Sequence, residues 1–257
     1  MKKIAIVSDI HGNIEALTAV LDDIDNRGVD TIYCLGDVIG YGPNPIECFS
    51  IATRRFEIII RGNHEEGVVD GAYGVSAMAK DAMDWTREVM KPQFYSLPHT
   101  KKQWHLLENL PLMFRENNML FVHGSPRCPT QEYILEDDTQ DIFGEIPEKI
   151  AEIFSCIDQF CFVGHSHKPG IITDKSEWIP LPKFDYTWEV NKGQKIICNV
   201  GSVGQPRDRD NRSCYVTFDG KQICYHRIPY DWSQTQEKIR KLPKLDNRLA
   251  DRLEVGH

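Results

Sequence analysis

The first apolar run of the chain, Ile4-Ala5-Ile6-Val7, has no polar alternation and carries three β-branched residues. It predicts a strand buried on both faces. It leads into Asp9, His11 and Gly12. From Ile14 to Arg27 the pattern changes. Ile14, Leu17, Val20, Leu21 and Ile24 fall at helical spacing, and Gly28 suits the position just past a helix end. Thr31 to Leu35 predicts a second strand ending in Gly36-Asp37, and strand–helix–strand implies a parallel, right-handed unit. Gly40 to Asn44 reads as a turn-rich loop, and Pro45 opens a short helix over Ile46 to Arg54. Phe56 to Ile60 predicts a third strand, running into Arg61-Gly62-Asn63-His64-Glu65.

Val75, Met78, Ala82, Trp85 and Val89 then step by three and four. A further helix, capped by Thr100, carries Trp104, Leu107 and Leu110. Residues 66–112 thus read as a helical insertion. Met119 to Val122 predicts a fourth strand ending at His123-Gly124. A polar loop spans Ser125 to Glu145, a helix Pro147 to Phe160, and a fifth strand Phe160 to Val163, which enters Gly164-His165-Ser166-His167. Beyond Pro169, short strands are expected at 170–173, 178–181, 187–190, 195–200, 213–218 and 222–227, with a hairpin at Asp219-Gly220. Glu237 to Leu253 is helical but broken at Pro243, within a tail of 233–257. No linker interrupts the pattern, so one domain over 1–257 is expected.

Of the 257 residues, 41% are hydrophobic and 26% charged, enough apolar material for a core. The net charge of −8 argues against bulk nucleic-acid binding. A phosphorylated substrate would therefore need positive charge built into its site, and metal ions supply it. No apolar run reaches membrane-spanning length, and the Met-Lys-Lys start precedes too short an apolar stretch for a signal peptide. The eight cysteines include no Cys-x-x-Cys pair, so buried reduced thiols in a cytoplasmic protein are expected.

Five predicted strands end in Asp9/His11, Asp37, Asn63/His64, His123 and His165/His167, and these ends hold five of the nine histidines. On an extended chain, residues i and i+2 face the same way, roughly 6–7 Å apart, so Asp9 and His11 can close on one cation. Three of the strands alternate with helices and should run parallel. Their C-terminal ends would then share one edge, where open α/β sheets place their sites.

The succession Asp-x-His, Gly-Asp, Gly-Asn-His-Glu, His-Gly and Gly-His-x-His resembles the calcineurin-like metallophosphoesterase superfamily. Gly36 to Pro43, His123 to Arg127 and Asn199 to Asp208 look like its prokaryotic branch of small phosphodiesterases and dinucleoside-tetraphosphatase-like proteins. The resemblance implies an α/β fold of two mixed β-sheets packed as a sandwich and flanked by helices. It implies two divalent or mixed-valence transition-metal ions (Mn, Fe or Zn). Asp9, His11, Asp37 and His167 would hold one, and Asp37, Asn63, His123 and His165 the other, with Asp37 bridging. It makes His64 the acid that protonates the leaving oxygen, with Glu65 orienting it. Arg127 and Arg207 are candidates to clamp phosphate oxygens, because arginine binds them bidentately. Tyr41, Asn13 and Asn199 are weaker candidates that could instead support the loops.

The implied activity is hydrolysis of a small phosphodiester or nucleotide, with metal-activated hydroxide attacking phosphorus in line. A protein serine/threonine phosphatase is an alternative, motivated by Arg61 to Glu65. The replacement of that group's Val-Asp-Arg-Gly by Ile39-Gly40-Tyr41-Gly42 weighs against it. A double-strand-break-repair nuclease shares the motifs, but charge and length oppose it. A non-catalytic interaction scaffold is the alternative of another class, and the intact ligand positions and His64 oppose that. Neither a membrane partner nor a particular oligomeric state follows from the sequence.

Overall fold

The computed structural model describes residues 2–141 and 144–257. Residues 142 and 143 of the expected polar loop lie outside the described residues. In chain order the elements are β1 (Ile4–Val7), α1 (Ile14–Asn26), β2 (Thr31–Cys34), α2 (Pro45–Arg55), β3 (Ile58–Ile59), α3 (Asn63–Asp70), α4 (Ala77–Met90) and α5 (Pro98–Glu108). There follow β4 (Met113–Glu116), β5 (Met119–Val122), α6 (Glu148–Ser155), β6 (Phe160–Val163), β7 (Gly170–Thr173), β8 (Trp178–Pro180) and β9 (Thr187–Glu189). The chain ends with β10 (Ile196–Asn199), β11 (Ser213–Phe218), β12 (Gln222–Ile228), α7 (Trp232–Arg240) and α8 (Arg248–Val255).

Two mixed six-stranded sheets result, ordered β3-β2-β1-β11-β12-β9 and β4-β5-β6-β10-β7-β8. In the first, β1 pairs parallel with β2 and β2 with β3, while β11 runs antiparallel to β1. In the second, β5, β6 and β10 are parallel. The five chemistry-bearing strands therefore divide three to two between sheets, and do not share a single sheet edge. The site is built where the C-terminal ends of both parallel sets meet.

The unalternating apolar runs follow from this layering. Ile4 and Ile6 of β1 face a core shared with Phe121, Phe162, Phe218 and Ile223, between the sheets. Ala5 and Val7 face Leu17, Val20 and Phe49 of the outer helices. Outside the second sheet, Ile150, Ile153 and Phe154 of α6 cover Leu120, Cys161 and Ile197.

Several boundaries differ from expectation. β3 is only two residues long, because the chain leaves the ladder before Arg61 and starts α3 at Asn63. β4 was not foreseen: it pairs with β5 through a hairpin whose Asn117 takes a left-handed backbone. Thr100 does not cap α5, which starts at Pro98 and ends before Leu110. Proline is favoured in the first helical turn because its missing N–H would find no partner there. The segment predicted around Pro243 divides into α7 and α8 as expected, but α7 starts earlier, at an Asp231 cap. Among the described residues, no helix is long and apolar enough to cross a membrane.

Candidate metal centre

The loops after β1 and β2 extend the strand ladder. The Asp9, His11 and Gly12 amides donate to the carbonyls of Gly36, Asp37 and Val38 at 3.1, 2.9 and 2.9 Å. The backbone there is not extended, however. Asp9 has φ +55°, His11 +49° and Asp37 +51°, and His165 and His167 follow with +63° and +59°. Asp9 and His11 thus converge through left-handed turns, not through the period of a strand. Each such conformation costs a residue bearing a Cβ about 1–2 kcal/mol. Backbone strain of this kind clusters at functional sites.

The side chains so placed form two adjoining groups, all buried except the half-buried Asn63. In the first, His11 Nε2 lies 3.7 Å from Asp9 Oδ1, 3.7 Å from Asp37 Oδ2 and 3.1 Å from His167 Nε2. His167 Nε2 is also 3.2 Å from Asp9 Oδ1. The other ring nitrogens are committed: His11 Nδ1 donates to the Ile39 carbonyl at 3.3 Å, and His167 Nδ1 to that of Gln205 at 2.5 Å. Burial pushes both imidazoles below their ordinary pKa, so they are neutral and the Nε2 atoms bear lone pairs. Asp9 Oδ1 has no hydrogen-bond donor. Two imidazole lone pairs and an undonated carboxylate oxygen face one another, an arrangement a cation satisfies.

In the second group, His123 Nε2 lies 3.4 Å from Asp37 Oδ2 and 3.0 Å from Asn63 Oδ1, while its Nδ1 donates to the Leu35 carbonyl at 2.8 Å. His165 joins them: its ligand atom and those of Asp37 and His123 lie within 4.8 Å of one another. His165 Nε2 donates to the Gln131 carbonyl at 3.3 Å, which leaves Nδ1 for a cation. Burial works to lower the pKa of His123, but the Asp37 carboxylate overrides it and holds the ring at about 9. Without a cation, a proton takes the charge-balancing place. The mixed carboxylate, amide and imidazole donors fit transition-metal ions and include no thiolate.

Asp37 belongs to both groups. Its Oδ1 accepts the His64 backbone N–H at 2.8 Å, which leaves Oδ2 facing His11 on one side and His123 on the other. Burial would raise this carboxyl, but His123, His64 and His11 hold it well below the usual range. Gly62 allows the close approach: a Cβ there would strike the Asp37 carboxylate.

Glu65 does not orient His64. Its Oε2 accepts the Asp37 and Gly62 amides at 2.7 and 2.9 Å, and its Oε1 those of Val38 and Ile39 at 2.8 and 3.3 Å. It is the clamp that shapes the Asp37 turn. Burial and the neighbouring Asp37 charge push its carboxyl up to about 7, against the lowering effect of the amides.

His64 is buried beside the first group, with its ligand atom and those of His11 and Asp37 within 4.8 Å of one another. Separation alone therefore does not set it apart from the ligands. Its Nδ1 has no hydrogen-bond partner and faces Gly40, whose φ of +84° and missing Cβ make room for the ring. Tyr41 packs tilted against His64 and His11, with ring centroids 4.2 and 4.8 Å apart. Arg207 reaches this wall, its Cζ 5.9 Å from the Tyr41 centroid. Arg127 instead pairs with Glu132 and Glu152. Asn13 and Asn199 support loops: Asn13 caps α1 and donates to the Gly204 carbonyl, and Asn199 donates to the Gly164 carbonyl and Ser166 hydroxyl. Gln205, inside the family-like stretch Asn199 to Asp208 but given no role there, lines the same wall, as does Arg252, which carries no motif and is placed there only by the fold.

The family model for the calcineurin-like phosphoesterase superfamily domain matches residues 1–222. An uncharacterised protein of Methanocaldococcus jannaschii is 35% identical over 98% of both chains. The symmetrical bis(5'-nucleosyl)-tetraphosphatase of Neisseria meningitidis serogroup A is 31% identical over 121 residues, 46% of this chain and 41% of that one. The crystal structure of a metallophosphoesterase from Sphaerobacter thermophilus superposes with a TM-score of 0.82 at 33% identity, covering 99% of this chain and all of that one.

Proposed function

This chain belongs to the calcineurin-like phosphoesterase superfamily and is a hydrolase of phosphoester bonds; on that premise we propose that it cleaves a small phosphodiester or nucleotide with two metal ions. The observation that carries this reading is the position of Asp37 Oδ2, 3.7 Å from His11 Nε2 and 3.4 Å from His123 Nε2. An oxygen placed between two donor groups is one that both ions would share. Asp9, His11, Asp37 and His167 would hold one ion; Asp37, Asn63, His123 and His165 would hold the other. When bound, a pair of Mn, Fe or Zn ions supplies water activation and charge stabilisation at phosphorus.

The chain's own residues do the rest. The carbonyls of Ile39, Leu35 and Gln205 fix three imidazole rings through Nδ1. Glu65 fixes the Asp37 turn. His64 stands beside the ligands; burial holds its ring down at about 4, and it serves as proton donor to the departing alkoxide once an anionic substrate lies beside it and raises that value. Arg207 steadies the phosphoryl oxygens. Arg127 could join it only by giving up Glu132 and Glu152, so Arg207 is the stronger of the two. The tetraphosphatase relative supports a nucleotide as substrate.

The test is reconstitution of metal-stripped protein with Mn²⁺, followed by turnover of bis(p-nitrophenyl) phosphate and a panel of nucleotides and dinucleoside polyphosphates. Metal-dependent release of nitrophenolate and hydrolysis within the nucleotide panel are expected. Turnover unaffected by stripping and reloading would refute the reading.

A further inference from the structure

The family match ends at residue 222, yet the chain beyond it folds back over the candidate site. In α7 and α8, Ile239, Leu249 and Leu253 pack with Trp85 of α4, and Tyr41 lies against that cluster. This packing brings Arg252 of α8 to the rim. Its Cζ lies 6.0 Å from the Tyr41 ring centroid, against 5.9 Å for Arg207. Tyr41 in turn touches both His64 and His11.

The two guanidinium groups share one neutral acceptor. Gln205 Oε1 accepts from Arg207 Nη2 at 2.8 Å and from Arg252 Nη1 at 3.2 Å. The carbonyl of the same Gln205 holds His167. Arg207 Nε is buried without a partner. Among the described residues, neither arginine has a carboxylate at ion-pair distance, although most other arginines of the chain do. Burial and the charge of Arg207 make Arg252 less basic than usual. Two like charges held side by side, partly out of water and with donors to spare, are unfavourable unless an anion joins them.

We infer that Arg207 and Arg252 form a second anion subsite, which takes the phosphate next to the scissile one in a phosphoanhydride substrate. Resting on the phosphoesterase reading, this narrows the substrate class to molecules with adjoining phosphates, such as nucleoside polyphosphates and dinucleoside polyphosphates. A single-phosphate ester would engage Arg207 from the centre and leave Arg252 without an anion. Arg207 also borders a cleft of about 520 Å³, lined by Lys168 and Trp178 but also by Glu136, Asp208 and Asp210, which suits it to the uncharged remainder of such a substrate and not to further phosphates.

The test compares wild type with Arg252→Ala and Arg252→Lys, all loaded with Mn²⁺. Calorimetric titration measures affinity for α,β-methylene-ADP and for AMP. A charge-assisted hydrogen bond contributes about 1.5–3 kcal/mol, so wild type should prefer the diphosphate by about tenfold or more. Arg252→Ala should lose most of that preference, and Arg252→Lys should recover part of it. Turnover of bis(p-nitrophenyl) phosphate, run in parallel, should fall by a smaller factor than the diphosphate affinity in both variants, because that ester carries no second phosphate, and metal content should stay at the wild-type level. An unchanged diphosphate preference in Arg252→Ala, or an equal loss for both ligands, would overturn the subsite while leaving the phosphoesterase reading intact. Failure of wild type to turn over the nitrophenyl diester would instead sink that reading.

Discussion

The Nε2 atoms of His11 and His167 stand 3.1 Å apart, and the Nδ1 proton of each ring is already given to a backbone carbonyl. Two neutral imidazoles so arranged present lone pair to lone pair. With Asp9 Oδ1 also lacking a donor, the pocket is complete only around a positive ion. The left-handed backbone at both histidines adds strain that ion binding would offset.

Ions bound there would stabilise the fold. Loading at 100 times the dissociation constant contributes about 2.7 kcal/mol per site. For a chain of this size, that raises Tm by roughly 5–10 °C per ion. Thermal unfolding of chelator-treated and Mn²⁺-reconstituted protein checks this. Identical melting curves would contradict the strained-pocket account.

Replacing the bridge should act on both ions at once. Asp37→Ala is expected to lose both, or to hold one loosely, whereas His167→Ala should weaken mainly the first. Elemental analysis after gel filtration distinguishes them. Equal retention in both variants would remove Asp37 from its shared position.

Glu65→Gln tests the clamp. The new amide turns N–H groups toward two of the four backbone donors that Glu65 now accepts. An unmade buried hydrogen bond costs about 1–3 kcal/mol, so both stability and metal affinity should fall. Urea unfolding of the metal-free protein separates the two effects. Wild-type stability with weakened metal binding would assign Glu65 an electrostatic role in place of the structural one.

His64→Ala should keep both ions and lose activity according to the leaving group. A positioned acid contributes about 10²–10⁴-fold where an alkoxide departs. Nitrophenolate is stable as an anion and needs less help. Rates for an alkyl ester and a nitrophenyl ester, alongside metal content, decide it. Equal losses with metal retained would make His64 a phosphoryl binder, and loss of metal would make it a ligand.

Much of this was legible in the sequence, for a physical reason. Strands buried on both faces have no alternation to obscure them, and β1, β5, β6, β7 and β11 have the expected bounds. The seven expected ligands lie together because each follows a strand or its loop, although β3, which leads to Asn63, is short and only half-buried. What escaped was tertiary. Nothing local to Ile58-Ile59 tells that the third strand leaves its ladder after two residues. The left-handed turns at Asp9 and His11 have no signature beyond residues that tolerate them. Glu65 reads as a neighbour of His64, but as the third residue of α3 it points back to the Asp37 loop. Arg252 carries no motif, and only the packing of α8 on Tyr41 brings it to the site.

Two ions held on either side of Asp37 would be magnetically coupled through it. Electron paramagnetic resonance of the Mn²⁺-loaded chain, read with elemental analysis of the same sample, tests this most directly. Two ions per chain and a spectrum of exchange-coupled Mn²⁺ are expected, with the coupling absent in Asp37→Ala. One ion per chain, or two with the spectrum of isolated Mn²⁺, would contradict the shared bridge.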